Sequence, residues 1–491
     1  MKTFNTGTRS KTEVVITDGI MAIGKSSKLI ETLNAGVWNG SANKECYLII
    51  VPYLEEVQRY IDECPELNFT QPDNAHGTKS KSLLRMLQDN RNIVTTHKMF
   101  ELWSEEIRDA VCFGQYNIII DEEVSCVEPI KMTAHSKKEL LRCNYITVDK
   151  ETGQVEWDFS ESDDADGTYN GSFPMIRRYC KSGSVFFFGS KGKIGEFMIW
   201  NLPTDFFEVG KTLRVMTFRF KFSIIRCYLD FHKMPYRIEY PDKEVQREMQ
   251  RRAAKHIKFL PVPKVIKEMV KGTKGAMSVA WYENRSKTEL KAIGKAVSNY
   301  LSRTAKVKAD DLLCTYPKSL LEDKSLTIPG YKNKEEGEGP WIACNTNGTN
   351  KFSDRHTIAY LHNIFPNVVL HKFFVMNGIR FDQEEFALST LLQYIWRTAI
   401  RLPEPEDIQI MLPSLRMHKL LQDWIDAELR FDEEGIKYKL VDPQGEVVEF
   451  ANMADFCMVH DLDKTAIRRV LNGERKSHKR YRLELDATED F

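Results

Sequence analysis

Short apolar runs rich in β-branched residues recur through the first part of the chain. Val14–Ile16, Tyr47–Val51, Arg91–Val94 and Ile118–Ile120 each give way abruptly to polar, acidic or turn-forming residues. Hydrophobicity that is continuous rather than alternating marks strands covered on both faces, and helical patterns between such strands predict an α/β doubly wound sheet. Ser184–Phe188 reads as another strand of that sheet. Residues 134–181 interrupt the pattern: Lys150–Gln154 is a turn between Tyr145–Val148 and Val155–Trp157, and the acidic Ser160–Asp166 stretch is a surface loop.

A second series starts near residue 205. Leu213–Phe218, Gly275–Ala280, Trp341–Cys344 and Asn367–Leu370 are strand-like, and Phe222–His232 is amphipathic. Past Arg430 the pattern changes again. Turns at Glu433-Glu434-Gly435 and Asp442–Gly445 flank short strands at 436–441 and Val447–Phe450. Two short helices follow, Met453–His460 and Lys464–Leu471, the second stopped by Asn472-Gly473. The expected division is 1–205, 206–430 and 431–491.

At 491 residues the chain is too long for a single core. Lys+Arg and Asp+Glu balance at 70 each, so only local clusters can point to a polyanionic partner. Ten scattered cysteines without a C-x-x-C pair argue against structural zinc or a disulfide framework and suit a reducing compartment. The polar start of the chain lacks the apolar core of a signal peptide, and no run approaches the roughly 18 apolar residues of a membrane helix. A cytoplasmic location is expected, that of the host if the chain is phage-encoded.

Chemistry enters directly after the first strand. Gly19-Ile-Met-Ala-Ile-Gly24-Lys25-Ser26 is a GxxxxGK[ST] loop leading into Lys28–Leu33. Such a loop turns backbone N–H groups toward a polyphosphate at a helix N-terminus. Gly19, Gly24, Lys25, Ser26 and Ser27 are thus the candidate nucleotide-binding residues. Lys25 would reach the β- and γ-phosphates, and the Ser26 hydroxyl would sit on Mg²⁺. Asp121-Glu122, at the end of another strand, supplies a second metal ligand, Asp121, and a candidate general base, Glu122. ATP and Mg²⁺ are the expected cofactors.

No second GK[ST] loop occurs in the later half, but Gln393, Arg397 and Arg401 fall four apart within Ala387–Arg401. On one helix they would share a stripe, with two guanidiniums suited to phosphate oxygens and able to act as an arginine finger.

Together these segments resemble a superfamily 2 DEAD-like helicase, and most resemble those of large tailed bacteriophages. Gly19–Ser26 is similar to motif I, Asp121–Val124 to motif II and Gln393–Arg401 to motif VI, with Trp396 in place of the usual glycine. The resemblance implies two tandem recombinase-A-like lobes clasping one nucleotide, with Gln393, Arg397 and Arg401 approaching the γ-phosphate. It also implies strand contacts at Pro52-Tyr53 and at Thr95, Thr96 and His97, and a motif V at Asn345–Asn350 that includes Asn345 and Thr349. Gly189-Ser190-Lys191 stands where a Ser-Ala-Thr motif III belongs, and Phe206–Phe218 and Leu412–Met417 resemble second-lobe signatures.

The two C-terminal helices have helix-turn-helix spacing, making a small α+β module. Lys464, Arg468 and Arg469, then Arg475, Lys476, Lys479, Arg480 and Arg482, form a dense basic cluster. The module resembles DNA-binding repeats appended to phage and intron-encoded nucleases. The leading expectation is an ATP-dependent DNA helicase or translocase acting on single-stranded or branched DNA, with RNA left open and replication or recombination proteins as further partners. The alternatives are a phage packaging-type motor ATPase, which would need a cluster of nuclease acids, and a DNA-binding regulator using ATP as a switch.

Overall fold

The computed structural model describes residues 13–36, 45–75, 77–158, 169, 171–181, 183–188, 197–331, 339–346, 351–434, 438–450, 453–460 and 462–483. Its strands, in chain order, are β1 Val14–Asp18, β2 Tyr47–Val51, β3 Ile93–Thr96, β4 Asn117–Asp121, β5 Val127–Pro129, β6 Ile146–Val148, β7 Val155–Trp157, β8 Val185–Phe188, β9 Phe197–Asn201, β10 Thr212–Thr217 and β11 Tyr236–Glu239. They continue with β12 Ile257–Phe259, β13 Leu312–Thr315, β14 Thr357–Tyr360, β15 Ile408–Met411, β16 Tyr438–Val441 and β17 Val447–Phe450.

Six strands form a parallel sheet in the order β11-β1-β10-β4-β2-β3. Its strands β1, β2 and β4 are buried on both faces, as their continuous apolar runs require, while β11 is a half-exposed edge. Ile118 and Ile120 enter one core with Val14, Leu48 and Val215, while Ile119 enters the opposite core with Leu29, Val51 and Met216. The sheet corrects the expected boundary at 205: β10 and β11 belong here, not to the second half. β10 sits between β1 and β4, pairing Asp18 with Thr217 and Asp121 with Met216. A strand completed by residues so far along the chain has no local signature.

Ser184–Phe188 is also reassigned. It forms β8 of a small antiparallel sheet, β5-β9-β8, which packs with the β6–β7 hairpin over Leu140, Ile146, Trp157 and Met198. The hairpin lies where the Lys150–Gln154 turn predicts. The Ser160–Asp166 loop and Gly189-Ser190-Lys191 lie outside the described residues.

The second half carries its own parallel sheet, β12-β15-β14-β13. Here sequence reading misplaces the strands. Gly275–Ser278 is a turn and Ser278 caps the short helix Val279–Glu283; Asn367 caps helix Val368–Met376. Trp341 makes a single bridge to Cys314. The halves share apolar cores: Ile20 and Phe218 join the cluster of Ile358 and Ile410, and Phe373 and Phe374 join that of the first sheet. The ion pairs Lys351–Glu55, at 2.7 Å, and Arg219–Glu385 also cross between them.

Helix Leu415–Glu434 runs through the expected boundary at 430 and through Glu433-Glu434, read as a turn. Beyond it, the β16–β17 hairpin and helices Met453–Val459 and Lys464–Leu471 enclose Leu440, Phe450, Phe456, Ile467 and Val470. Among the described residues, no helix is long and apolar enough to cross a membrane.

Candidate nucleotide-binding cleft

The loop after β1 passes through the left-handed region at Ala22 (φ 64°) and Gly24 (φ 86°) before helix Lys25–Asn34 begins. Gly24 is the residue that adopts this conformation without a Cβ penalty. A Cβ on Gly19 would come within 2.9 Å of the Pro241 side chain, so a glycine is needed there for close packing. The Lys25 ammonium curls over its own loop, donating to the carbonyls of Gly19 and, at 3.2 Å, Ile20. Burial lowers its pKa, opposed by Glu122, Asp121 and Asp18.

Asp121, ending β4, is the hub. Its Oδ2 accepts from Ser26 Oγ at 2.8 Å and from the Tyr60 hydroxyl at 3.0 Å. The His97 Nε2 lies 3.0 Å from the Asp121 main-chain oxygen. A carbonyl only accepts, so Nε2 carries the proton. Burial lowers the His97 pKa and keeps the ring neutral. His97 thus pins the end of β4, and Thr95 is buried in β3. The Thr95 side chain is therefore withdrawn from the surface, whereas His97 is half-buried. Thr96 is half-buried.

Glu122 holds a left-handed φ of 69°, with its N–H donating to Met216 O at 3.1 Å. Non-glycine residues in this region collect at functional sites. Burial raises its pKa against the opposing pull of Lys25, with Asp121 raising it further and Arg397 lowering it. Glu123 accepts from Thr217 Oγ1 at 2.5 Å, and burial pushes it up to about 7.

The second half completes the cleft, though not by a helical stripe. Helix Gln383–Ile395 stops before Arg397. Thr398 turns to extended backbone, Ala399 N–H donates to Arg355 O at 3.0 Å, and Ala399–Arg401 is a separate 3₁₀ turn. Gln393, Arg397 and Arg401 nevertheless line one open cleft of about 490 Å³ with Gly24, Lys25, Ser26, Ser27, Asp121 and Glu122. Arg397 is only 6% exposed, and its Nε has no hydrogen-bond partner among the described residues. Burial lowers the pKa of both arginines; Glu122 favours the charged form of Arg397, and Glu56 and Glu122 that of Arg401.

A buried, unpartnered guanidinium N–H costs roughly 1–3 kcal/mol, and an anionic oxygen in the cleft would satisfy it. The residues also fit a magnesium nucleotide: a hydroxyl and a carboxylate side by side suffice, because Mg²⁺ takes few protein ligands beside phosphates and water. Sequence reading missed Glu56, Arg59, Tyr60 and Ser353. Glu56, Arg59 and Ser353 line the cleft, with Arg59 donating to Ser27 Oγ at 3.1 Å. Nothing in the spacing of Tyr60 or Ser353 announces a site, because both arrive through chain crossings.

Elsewhere the expected residues are scattered. Asn345 sits in a turn after Cys344, outside the cleft lining, and Thr349 lies outside the described residues. Lys464, Arg468, Arg469, Arg475 and Lys476 are exposed on and after helix Lys464–Leu471. Their module docks on helix Lys243–His256 through Lys243–Glu446 at 2.7 Å and Arg247–Glu449 at 2.6 Å.

Comparison with known proteins agrees with the α/β architecture. The family model of the YonV C-terminal Rossmann-like domain matches residues 253–425, enclosing the whole second sheet. The SPbeta prophage-derived uncharacterized protein YonV of Bacillus subtilis (strain 168) is 28% identical over 438 residues, covering 84% of this chain and 99% of the relative. Among solved structures, an XPD helicase is 13% identical with a TM-score of 0.49, and S. tokodaii Xpd4 is 12% identical with a TM-score of 0.40. Each covers 84% of this chain and 94% of its own. These two are likenesses of fold alone.

Proposed function

We propose that the protein is an ATP-dependent nucleic-acid motor, a helicase or translocase whose two sheet-bearing lobes clasp one magnesium nucleotide. One observation carries this reading: the Lys25 loop and the Asp121-Glu122 pair of one sheet share a cleft with Gln393, Arg397 and Arg401 of the other. The loop N–H groups and Lys25 bind the phosphates, and Ser26 and Asp121 hold Mg²⁺, which supplies charge neutralisation on the phosphates. Glu122 takes a proton from the attacking water, while Arg397 and Arg401 stabilise charge developing on the γ-phosphoryl group. Because these groups come from two lobes, hydrolysis requires closure, and closure and release change the relative position of the lobes. That is the minimum device for directed movement on a polymer. The exposed basic residues of the C-terminal module are the proposed tether to DNA.

The deciding experiment is nucleotide hydrolysis with and without single-stranded, duplex and forked DNA, and single-stranded RNA. Stimulation of several-fold or more by one of these supports the motor. Hydrolysis indifferent to every nucleic acid would leave a nucleotide switch instead.

A further inference from the structure

At the carboxyl edge of the second sheet lies a feature that the nucleotide cleft does not use. The loop after β14 is nailed down: Asn363 Nδ2 donates to Lys274 O at 3.2 Å and Ala276 O at 2.9 Å, and Tyr282 donates to Leu361 O at 2.8 Å. Beneath it lies Arg416, 8% exposed, at the start of helix Leu415–Glu434. Its guanidinium donates to both carboxylate oxygens of Glu384 (3.1 and 2.9 Å), to Asn363 Oδ1 (2.9 Å), and to the carbonyls of Ile364 (2.7 Å) and Gln383 (3.2 Å). Arg416 is thus committed mainly to the protein around it. Its Cζ lies over the ring of Phe365, 4.2 Å from the centroid, and Phe365 stays 39% exposed.

We infer that Phe365 is a stacking platform for one base of a single-stranded nucleic acid crossing the junction of the two halves, an inference that rests on the motor reading above. Phe365 covers one face of this buried guanidinium, and a ring held in place in that way has less ordering entropy to lose when a base stacks on its other face. The position fits a polymer path. Ligands of parallel sheets bind beyond the carboxyl ends of the strands, and Leu415 (63% exposed) leaves β15 at the same edge. Exposed Lys274 and Lys419 stand beside the loop and one turn beyond Leu415, the mixture of cation and aromatic that single strands require. Glu384, which fixes Arg416, is adjacent to Glu385, whose partner Arg219 belongs to the first half. A strand on Phe365 therefore lies where the halves meet. Arg401, by contrast, precedes β15 and lies toward the amino edge, so the platform is separate from the cleft.

The test is the affinity of a labelled oligothymidylate for the full chain and its variants. Phe365→Ala is expected to weaken binding roughly five- to a hundredfold, the worth of one stacked base. The salt slope should not change, because the substitution removes no cation from the phosphate path. Phe365→Trp should restore affinity, an abasic oligomer should bind both proteins alike, and hydrolysis without DNA should be untouched. Equal binding by wild type and Phe365→Ala, or failure of Phe365→Trp to rescue, overturns the platform and leaves the motor standing. A wild type that neither binds nor responds to nucleic acid overturns both. Loss of self-association with oligonucleotide binding intact would give the patch to a second copy of this chain and likewise overturn the inference.

Discussion

The Tyr60 hydroxyl donates to Asp121 Oδ2, the same oxygen that receives the Ser26 hydroxyl. Two donors on one carboxylate oxygen fix its orientation toward the phosphate loop. Tyr60→Phe keeps the buried ring and removes one donor. Nucleotide hydrolysis should then need several-fold more Mg²⁺ for half-maximal rate, with stability lowered by roughly 1–3 kcal/mol for the missing charge-assisted bond. Magnesium titration and thermal unfolding of the variant check this.

Lys25→Ala should abolish hydrolysis while leaving the fold intact, since its ammonium bonds carbonyls of its own loop. Circular dichroism together with a hydrolysis assay separates loss of chemistry from loss of structure.

Arg401→Ala should lower turnover by about 10³-fold or more while changing nucleotide affinity far less, as a group acting on the transition state requires. Arg397→Lys should also be poorly active, because an ammonium cannot replace the planar donor set of a buried guanidinium. Comparable losses in affinity and turnover for both would contradict the finger role.

Burial raises the Glu123 carboxyl to about 7 and Asp18 to about 6. A folded state that holds its proton more tightly than the unfolded one is stabilised below the unfolded pKa, and that stabilisation is lost as pH rises through the folded value. Between about pH 4 and 7 these groups therefore make stability fall with rising pH. Glu123→Gln should flatten this slope, so its melting temperature relative to wild type should climb from pH 5 to pH 8. For hydrolysis the raised Glu122 pKa places the rising limb of the rate profile above the usual carboxylate range.

Truncation after Glu434, where the helix ends, should weaken DNA binding while sparing basal hydrolysis. It should also flatten the salt dependence of binding, by roughly 0.9 in log–log slope for each phosphate that the module neutralises. An unchanged slope would make the basic tail a mere solubiliser.

The phosphate loop and the β6–β7 turn were legible because each is defined by neighbours within a few residues: a glycine that must take positive φ, an Asp-Lys-Glu-Thr-Gly turn. The C-terminal hairpin and the helix stop at Asn472-Gly473 are equally local. Strands of the second sheet escaped because they are only three or four residues long, while Val368-Val369-Leu370 looks strand-like yet caps into a helix through Asn367.

The identity of each chemical group was set by the chain alone: a lysine, a hydroxyl, two acids and two guanidiniums, in segments whose backbone needs are local. Which of them meet was a matter of tertiary structure. β10 inserts between β1 and β4 only because long-range strand pairing and two-sided burial favour it, and that insertion brings Thr217 to Glu123 and Met216 to Glu122. Likewise the helix stops at Ile395, and Arg397 and Arg401 reach the cleft through a turn held by Arg355. Four-residue spacing could not foresee this, because the hydrogen bond that ends the helix comes from another part of the chain.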